Sequence, residues 1–432
     1  LFPYTPLFRS KRFSKSYSLK NNDLFVKKIV NFSSDQSHFT LLNSNDSFDD
    51  YELIIAYGAE SFLQSSKNSL KKIDKYIDKV NDWIFGYLSY DLKNEIENLT
   101  DLNKDVFNLP NLYFYQPKVI WLIKEEKAEI YSLDKKNLNE DWDHINSIDY
   151  KDCTEKSSVD LITRTSKEEY VRKIKNIKQR ILQGDCYEMN YCFDMYSKNK
   201  TINPYKTYIK LNDYTRSPMS TFFKLNQLYL LSSSPERFIK RINRKIISQP
   251  IKGTAKRGLD SKEDEKIKYT LLSSPKELSE NHMIVDLVRN DLSRVAEKGS
   301  VKVKNLNKLN TFKRVHQLIS TIEAEIAVKT KFSKIITGMF PMGSMTGAPK
   351  IESMNIIDEY ESTKRGLYSG SIGYIKPNKD FDFNVVIRSI IYDNLLKEIN
   401  VSVGSAITFK SDPESEFEEC LLKAEPMIKS LK

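Results

Sequence analysis

Residues 166–196 read SKEEYVRKIKNIKQRILQGDCYEMNYCFDMY and contain the signals for a helix followed by a strand. Ser166, with Glu169 three residues later, has the spacing of a capping box at the start of the helix. Apolar side chains then recur at helical intervals, at Tyr170, Ile174, Ile177 and Ile181. Gly184 stands where a glycine commonly ends a helix, and the strand is predicted over 186–196.

Outward from this stretch, strand and helix patterns alternate irregularly. Strands are predicted at 51–57, 83–90 and 227–232, and a hairpin around Asn243 at 237–242 and 245–248. A helix is predicted over 69–80, and the polar residues 137–158 are expected to form a connection. Because no regular βαβ period appears, the pattern favours an α+β fold with antiparallel sheets.

The composition excludes several broad classes. The chain has 432 residues, of which 40% are apolar and 29% charged, so general disorder is excluded. No apolar run approaches the roughly 18 residues of a membrane span, and no membrane association is expected. The net charge of +10 is scattered, without a basic run interleaved with aromatics, so no nucleic-acid partner is expected.

The four cysteines and the first residues bear on location. Cys153, Cys186, Cys192 and Cys420 form no CxxC pair and have no zinc-type spacing with histidine. Reduced thiols in a cytoplasmic protein are the simplest interpretation. Residues 1–18 lack the apolar stretch of a secretory signal, and we expect them to be a disordered or non-native start.

Paired carboxylates are the first candidates for chemistry. Glu277 and Glu280 are three residues apart in a predicted helix, and so are Glu416 and Glu419 in a second helix that follows Asp412 and Pro413. Two such pairs can converge on Mg²⁺, which prefers oxygen ligands. Each pair alone is typical of a solvated helix face.

Three further side chains have two interpretations each. Lys252 lies in PIKGT with Lys256 and Arg257 nearby, and neighbouring positive charge would lower its pKa and free a nucleophilic amine. The alternative is a solvated loop lysine. Glu236 could be a general acid if burial raises its pKa, or part of a surface turn. His316 alone is typical of a core or surface residue.

These pieces, in this order, resemble the chorismate-utilising enzymes. The matching stretches cover most of residues 165–425 and are SPERF (234–238), PIKGTAKRG (250–258), ELSENHMIVDLVRNDLSRV (277–295), VHQLIST (315–321), FPMGSMTGAPK (340–350), RGLYSGSIGY (365–374), FNVVIRS (383–389), VGSAIT (403–408) and SDPESEFEECLLKA (411–424). The resemblance implies an α+β fold of two large antiparallel β-sheets packed as a sandwich with helices outside. It divides the chain into an N-terminal region at 19–155 and a chorismate-binding catalytic domain at 160–430.

The resemblance also implies a branch of the family. With lysine at position 252, the PIKGT segment resembles that of the aminodeoxychorismate synthases. Anthranilate synthases, the second candidate, typically have alanine at this position. The implied reaction uses the Lys252 amine at ring C2 to expel the C4 hydroxyl, after which ammonia attacks C4. A separate glutamine amidotransferase subunit is expected to supply the ammonia. Isochorismate and salicylate synthases, or a catalytically idle chorismate-binding protein, are the remaining alternatives.

Site residues follow from the resemblance position by position. Glu280 and Glu419 would bind Mg²⁺ directly, and Glu277 and Glu416 through water. Glu236 would protonate the departing hydroxyl. The expected substrate-binding residues are Tyr368, Arg388, Thr346, Gly347, Gly404, Ser405, Lys423 and His316.

Two positions depart from the family pattern. Glu188 stands where the ammonia-using branch commonly has glutamine and the water-using branch has lysine. Its carboxylate could order ammonia or be structurally paired. Asn43 replaces a glutamate in a segment that resembles a tryptophan pocket, and this departure leaves tryptophan binding an open question for the sequence.

Overall fold

A computed structural model describes residues 12–45, 51–150 and 159–432. Within these ranges eleven α-helices are present: α1 Asn22–Phe32, α2 Ser69–Val80, α3 Lys93–Glu97, α4 Asn137–Ser147, α5 Lys167–Leu182, α6 Pro204–Thr215, α7 Ser261–Ser273, α8 Pro275–Ser293, α9 Phe332–Met339, α10 Lys350–Tyr360 and α11 Pro413–Ser430. No helix in these ranges is both long and apolar enough to cross a bilayer.

The strands of the same ranges number twenty. They are β1 Phe13–Ser18, β2 His38–Asn43, β3 Leu53–Ser65, β4 Ile84–Leu88, β5 Leu112–Lys124, β6 Lys127–Ser132, β7 Ile162–Thr163, β8 Glu188–Lys198, β9 Met219–Leu225, β10 Leu228–Ser234, β11 Arg237–Ile242, β12 Lys245–Gln249, β13 Ile251–Lys256, β14 Lys302–Thr311, β15 Val315–Glu325, β16 Gly347–Ala348, β17 Ser371–Ile375, β18 Phe381–Asn384, β19 Ser389–Asp393 and β20 Glu398–Thr408. The pairings between these strands are antiparallel, which confirms the predicted α+β class.

Hydrogen bonds join the strands into one continuous network. The long strand β5 pairs with β3 along one edge and with both β6 and β4 along the other. From β3 the network runs through β2, β9, β10, β19 and β20 to β8, and from β4 it runs through β17, β18, β11 and β12 to β15. The two expected sheets are therefore continuous at β5.

Three apolar clusters define the layers. An aromatic-rich cluster draws on both branches of the network, including Phe85 of β4 and Tyr374 of β17 from one branch and Phe223 of β9 and Leu230 of β10 from the other. The other two clusters contain the apolar faces of the helices, with α5 and α11 in one and α8 and α9 in the other. Burial of these faces supplies the main driving force for the layered packing, at about 25 cal/mol per Å² of apolar surface.

Hydrogen bonds and turns that the local sequence predicts are present at several elements. Ser166 accepts a hydrogen bond from the Glu169 amide at the start of α5, and Asp412 accepts one from Ser415 at the start of α11. Asn43 at the end of β2 accepts a hydrogen bond from the Asn45 amide. The hairpin around Asn243 is present, with this residue at φ 55°.

Two expectations about the N-terminal half need correction. Residues 137–147 form helix α4 rather than a connection, because Leu138 and Ile145 on one face are buried against the core. Residues 13–18 form β1, paired with β6, so the ordered fold begins before residue 19. Residues 1–11 and Cys153 lie outside the described ranges, and the other three cysteines are buried free thiols.

Candidate active site

A β-bulge in β13 sets the direction of Lys252. Ile251 pairs with Ile319 and Thr254 with Gln317, so three steps on β13 oppose two on β15. Gly253 takes the extra step at φ +85°, a conformation that favours glycine. A β-carbon there would lie 3.2 Å from Glu277 Oε2. The bulge thus re-aims the Lys252 side chain toward helix α8.

Carboxylates surround the Lys252 ammonium. Its Nζ donates to Glu188 Oε1 at 3.1 Å and lies 3.7 Å from Glu280 Oε2. Burial pushes the pKa of Lys252 down, but the negative charges of Glu188 and Glu280 push it further up, above its ordinary value. The resting side chain is therefore a charged ammonium.

The interpretation that neighbouring positive charge lowers the pKa of Lys252 is wrong. Lys256 is exposed and pairs with Glu425 at 3.3 Å, and Arg257 pairs with Asp264 at 2.8 Å. Both cations have their own acidic partners. The charges that act on Lys252 come from carboxylates that are distant in the sequence.

Glu236 is a buried carboxyl in the turn between β10 and β11. Its Oε1 accepts a 2.7 Å hydrogen bond from the Ser344 hydroxyl. Burial raises the pKa of Glu236 to about 7, although the Ser344 hydrogen bond and the charge of Lys252 act in the opposite direction. A carboxyl with such a pKa can hold a proton at neutral pH, as a general acid must.

The two glutamate pairs of α8 and α11 lie on neighbouring helices. Lys276 Nζ is 3.3 Å from Glu416 Oε1 and 4.0 Å from both Glu280 Oε1 and Glu419 Oε2. Glu277 instead lies near the bulge at Gly253. The pKa of Glu280 is raised to about 6, chiefly by burial. Burial also acts to raise the pKa of Glu419, but Lys423, Lys276 and Lys252 together lower it below its ordinary value.

The donor chemistry of this cluster fits Mg²⁺ because every side-chain donor is a carboxylate oxygen. In the described part of the chain, however, no three acidic, histidine or cysteine side chains are close enough together to hold a metal ion as they stand. An ammonium group, that of Lys276, lies among three of the four glutamates. The positive charge among these carboxylates is therefore the ammonium group of Lys276.

Arg388 is a guanidinium without a side-chain partner in the described ranges. It has φ 52°, directly before β19. Burial lowers the pKa of Arg388, and the nearby Tyr368 and Glu419 act to raise it. An arginine held in this way can make two parallel hydrogen bonds to a carboxylate. The expected binding of one substrate carboxylate by Arg388 together with Tyr368 stays a prediction.

Two glycine segments were expected to line the pocket, and each packs closely against β8. Gly404 accepts a 3.0 Å hydrogen bond from Lys423 Nζ through its carbonyl oxygen, and a β-carbon there would lie 2.4 Å from Cys192 Sγ. The Ser405 hydroxyl is hydrogen-bonded to Tyr170 at 3.1 Å, on the side of α5. The Gly404 carbonyl oxygen and the Ser405 hydroxyl are therefore both engaged within the protein, and their expected contact with substrate stays a prediction.

The second segment contains Thr346 and Gly347. The Thr346 hydroxyl donates to Met342 O at 3.1 Å, which ends the 3-10 turn at Gly343–Met345. Gly347 pairs with Met189 of β8 at φ +150°, and a β-carbon there would lie 2.1 Å from Glu188 O. This close approach requires glycine and places the segment beside Glu188.

The structure does not bring His316 to the Lys252 cluster. One ring nitrogen is hydrogen-bonded to Thr311 at 2.9 Å and the other to Asp264 at 2.9 Å. Both nitrogens are thus engaged by β14 and α7, so the expectation of His316 at the substrate ring is wrong. The adjacent Gln317, paired with Thr254, has a buried Oε1 without a partner in the described residues.

Two residues of the site were missed from the sequence. Ser344 lies inside the quoted stretch 340–350, but nothing local signals its contact with Glu236. Lys276 precedes Glu280 by four residues, and this helical spacing could have identified it.

Comparison with known proteins identifies the family of the chain. A family model described as chorismate binding enzyme matches residues 27–429. The chain is 34% identical over 348 residues to aminodeoxychorismate synthase component 1 of Escherichia coli (strain K12), with 80% of this chain and 76% of that protein covered.

A plant protein and a solved structure extend the comparison. The chain is 33% identical over 422 residues to the probable chloroplastic aminodeoxychorismate synthase of rice, Oryza sativa subsp. japonica, and 86% of the chain is covered. It spans only 46% of that protein's length. The crystal structure of anthranilate synthase component I from Streptococcus pneumoniae TIGR4 superimposes with a TM-score of 0.78 at 23% identity, covering 89% of this chain and 93% of that one. That likeness concerns the fold.

Proposed function

This chain belongs to the chorismate binding enzymes, and we propose that it is the component I of an aminodeoxychorismate synthase. It would convert chorismate and ammonia to 4-amino-4-deoxychorismate, a precursor of 4-aminobenzoate and folate. The observation that carries this proposal is a buried lysine, Lys252, held between Glu188 and Glu280 and within electrostatic range of a buried, protonatable Glu236. The names of the bacterial and plant relatives support the same reaction.

The first step would join Lys252 to ring carbon C2. As the C2–N bond forms, the two conjugated double bonds of the ring both shift and the C4–O bond breaks, with the proton of Glu236 going to the departing oxygen to form water. The lysine ammonium loses one proton in reaching the adduct, and this proton replaces the one that Glu236 gave. The step therefore needs no external acid or base.

The second step would release the lysine. Ammonia attacks C4, both double bonds shift back, and the C2–N bond breaks with its electron pair returning to Lys252. The amino group thus takes the place of the hydroxyl while the enolpyruvyl group stays on the ring. Covalent catalysis divides one difficult substitution into two easier allylic steps.

The other site residues would bind the substrate's two carboxylates. Arg388 and Tyr368 would hold the enolpyruvyl carboxylate, and the backbone at Thr346–Gly347 and Gly404–Ser405, with Lys423, would line the pocket. Glu280 and Glu419, with Glu277 and Glu416 through water, would hold Mg²⁺. When bound, that ion neutralises the ring carboxylate, which would otherwise face four acidic side chains.

The ammonia would come from a separate glutamine amidotransferase subunit. The designation "component 1" of the Escherichia coli relative supports a two-component enzyme. All side chains of the proposed site fall within residues 160–430, which we propose as the catalytic domain, with 19–155 as the N-terminal region. A cytoplasmic location stays a prediction.

The test is product identification with a matched pair of lysine variants. Purified protein is incubated with chorismate, Mg²⁺ and ammonium at mildly alkaline pH, and the product is identified by mass and ultraviolet spectrum. We expect a product that keeps the enolpyruvyl group and carries an amino group for the hydroxyl. Lys252→Ala should nearly abolish it, whereas Lys256→Ala, which removes an exposed lysine four residues away, should not. Formation of anthranilate and pyruvate would instead identify an anthranilate synthase.

A further inference from the structure

Glu188 is a buried carboxylate that the proposed reaction has not used. It is the first residue of β8 and pairs with Ala348 of β16 on one side and with Thr408 of β20 on the other. Only 2% of the residue is exposed. With strands on both sides, its backbone has little freedom, so its carboxylate is a fixed point in the site.

Glu188 is also the carboxylate that holds Lys252 most closely. The Lys252 Nζ donates to Glu188 Oε1 at 3.1 Å, whereas the distance to Glu280 Oε2 is 3.7 Å. Glu280 belongs to the helix pair proposed to bind the cation, and an oxygen committed to a cation is a poorer acceptor for an ammonium. Glu188 lies on a strand, outside that helix pair, and remains available to Lys252.

The second oxygen of Glu188 argues against a purely structural ion pair. Oε2 is buried and has no hydrogen-bond partner among the described residues. Leaving a buried polar atom unsatisfied costs about 1–3 kcal/mol, and such atoms are rare where only stability is at stake. A carboxylate placed there against this cost is expected to serve the reaction.

We propose that Glu188 is a positioning residue that holds the Lys252 nitrogen at the point from which it attacks the ring. This inference rests on the proposed covalent role of Lys252. A lysine side chain has a flexible four-carbon stem, and a hydrogen bond to a fixed acceptor confines its nitrogen. Because reacting atoms must approach to about 3–3.5 Å in line, a displacement of about 1 Å lowers the rate roughly hundredfold.

The readout is the rate at which the covalent adduct forms. Enzyme, chorismate and Mg²⁺ are mixed without ammonia, and the adduct on Lys252, equal to chorismate minus water, is followed by rapid quench and intact-protein mass. We expect Glu188→Ala to slow adduct formation about 100-fold, while the equilibrium Kd for chorismate stays within about twofold. Glu188→Gln keeps an acceptor oxygen and should lose only about tenfold.

Two controls separate positioning from general damage. Asp185→Asn changes a carboxylate three residues away that pairs with Arg180, and should leave the adduct rate unchanged. If Glu188→Ala does not fold, Glu188→Asp, which withdraws the carboxylate by one methylene, is used and should also slow the adduct. The thermal midpoint of each variant is recorded beside its rate.

The outcomes for the two proposals differ. Adduct formation at the normal rate in Glu188→Ala, with none in Lys252→Ala, would overturn the positioning role and leave the lysine mechanism standing. A parallel loss of chorismate binding would likewise contradict positioning. Full product formation by Lys252→Ala would remove the covalent mechanism itself, and the role of Glu188 with it.

Discussion

Ser344 donates a 2.7 Å hydrogen bond to Oε1 of Glu236, and this contact joins the 3-10 turn at 343–345 to the turn between β10 and β11. The carboxyl of Glu236 also accepts a hydrogen bond from the Ile251 backbone, and both hydrogen bonds favour its charged form. Because burial raises the pKa of Glu236 to about 7, the carboxyl changes its protonation state in the range where the enzyme would work. The proposed acid is therefore sensitive to pH.

The pH dependence follows from this contact. If Glu236 must be protonated to release the C4 hydroxyl, kcat/KM for chorismate should fall tenfold per pH unit above about pH 7, at a fixed concentration of free ammonia. Ser344→Ala removes a hydrogen bond that lowers the pKa of Glu236, so the falling limb should move to higher pH. The measurement is a pH–rate profile of both proteins. Coincident limbs would show that another group controls this range.

Arg388 offers a prediction about substrate binding. Its guanidinium makes no side-chain hydrogen bond or ion pair within the described ranges, so its removal breaks none there. Arg388→Met should raise KM for chorismate by about 100-fold, since a charge-assisted bidentate pair is worth about 3 kcal/mol. The thermal midpoint should change little or rise. Arg365→Met is the contrasting variant, because Arg365 pairs with Glu361 in the core and its loss should destabilise the fold. An unchanged KM in Arg388→Met would exclude the assigned role.

The fold was predictable where the signal is local. Ser166 and Gly184 bracket α5, Asp412 and Pro413 begin α11, and Asn243 turns the hairpin, because each acts on atoms within a few residues. Helix α4 was not predicted, since Lys136 at its start makes no side-chain cap and only Leu138 and Ile145 on it are buried. Tertiary packing, rather than its own sequence, stabilises it.

The sequence predicted which residues belong to the candidate site better than it predicted the charges around them. Family motifs located Lys252 and Glu236, but the group that controls Lys252 is Glu188, which is 64 residues away in the chain and adjacent only through the sheet. His316 was misplaced for a related reason. Alternate residues of a strand face opposite sides, and a motif does not reveal that Thr311 and Asp264 engage this ring.

Gly347 provides a test of the backbone at the site. A β-carbon at this position would lie 2.1 Å from Glu188 O and 2.7 Å from Ser353 Oγ, so Gly347→Ala must push the segment away from β8. We expect a loss of about 3 kcal/mol or more in the free energy of unfolding, together with loss of activity. Gly184→Ala is the matched control, since it has φ +88° but open space around it, and should cost only about 1 kcal/mol. Denaturant unfolding of both variants provides the comparison. Equal costs would mean that the φ angle, and not the close approach, requires glycine at 347.

Lys276 leads to a prediction about the metal. Its ammonium lies among Glu280, Glu416 and Glu419, so a divalent cation must displace it to reach these carboxylates. Lys276→Ala removes both the competitor and its repulsion of the incoming ion, and should tighten Mg²⁺ binding by about tenfold. Isothermal titration calorimetry at constant ionic strength gives the affinity directly, without reliance on turnover. Lys266→Ala, which removes the same charge from the exposed side of α7, should change the affinity far less. Weaker binding in Lys276→Ala would mean that this lysine gathers the carboxylates for the ion instead of occupying its place.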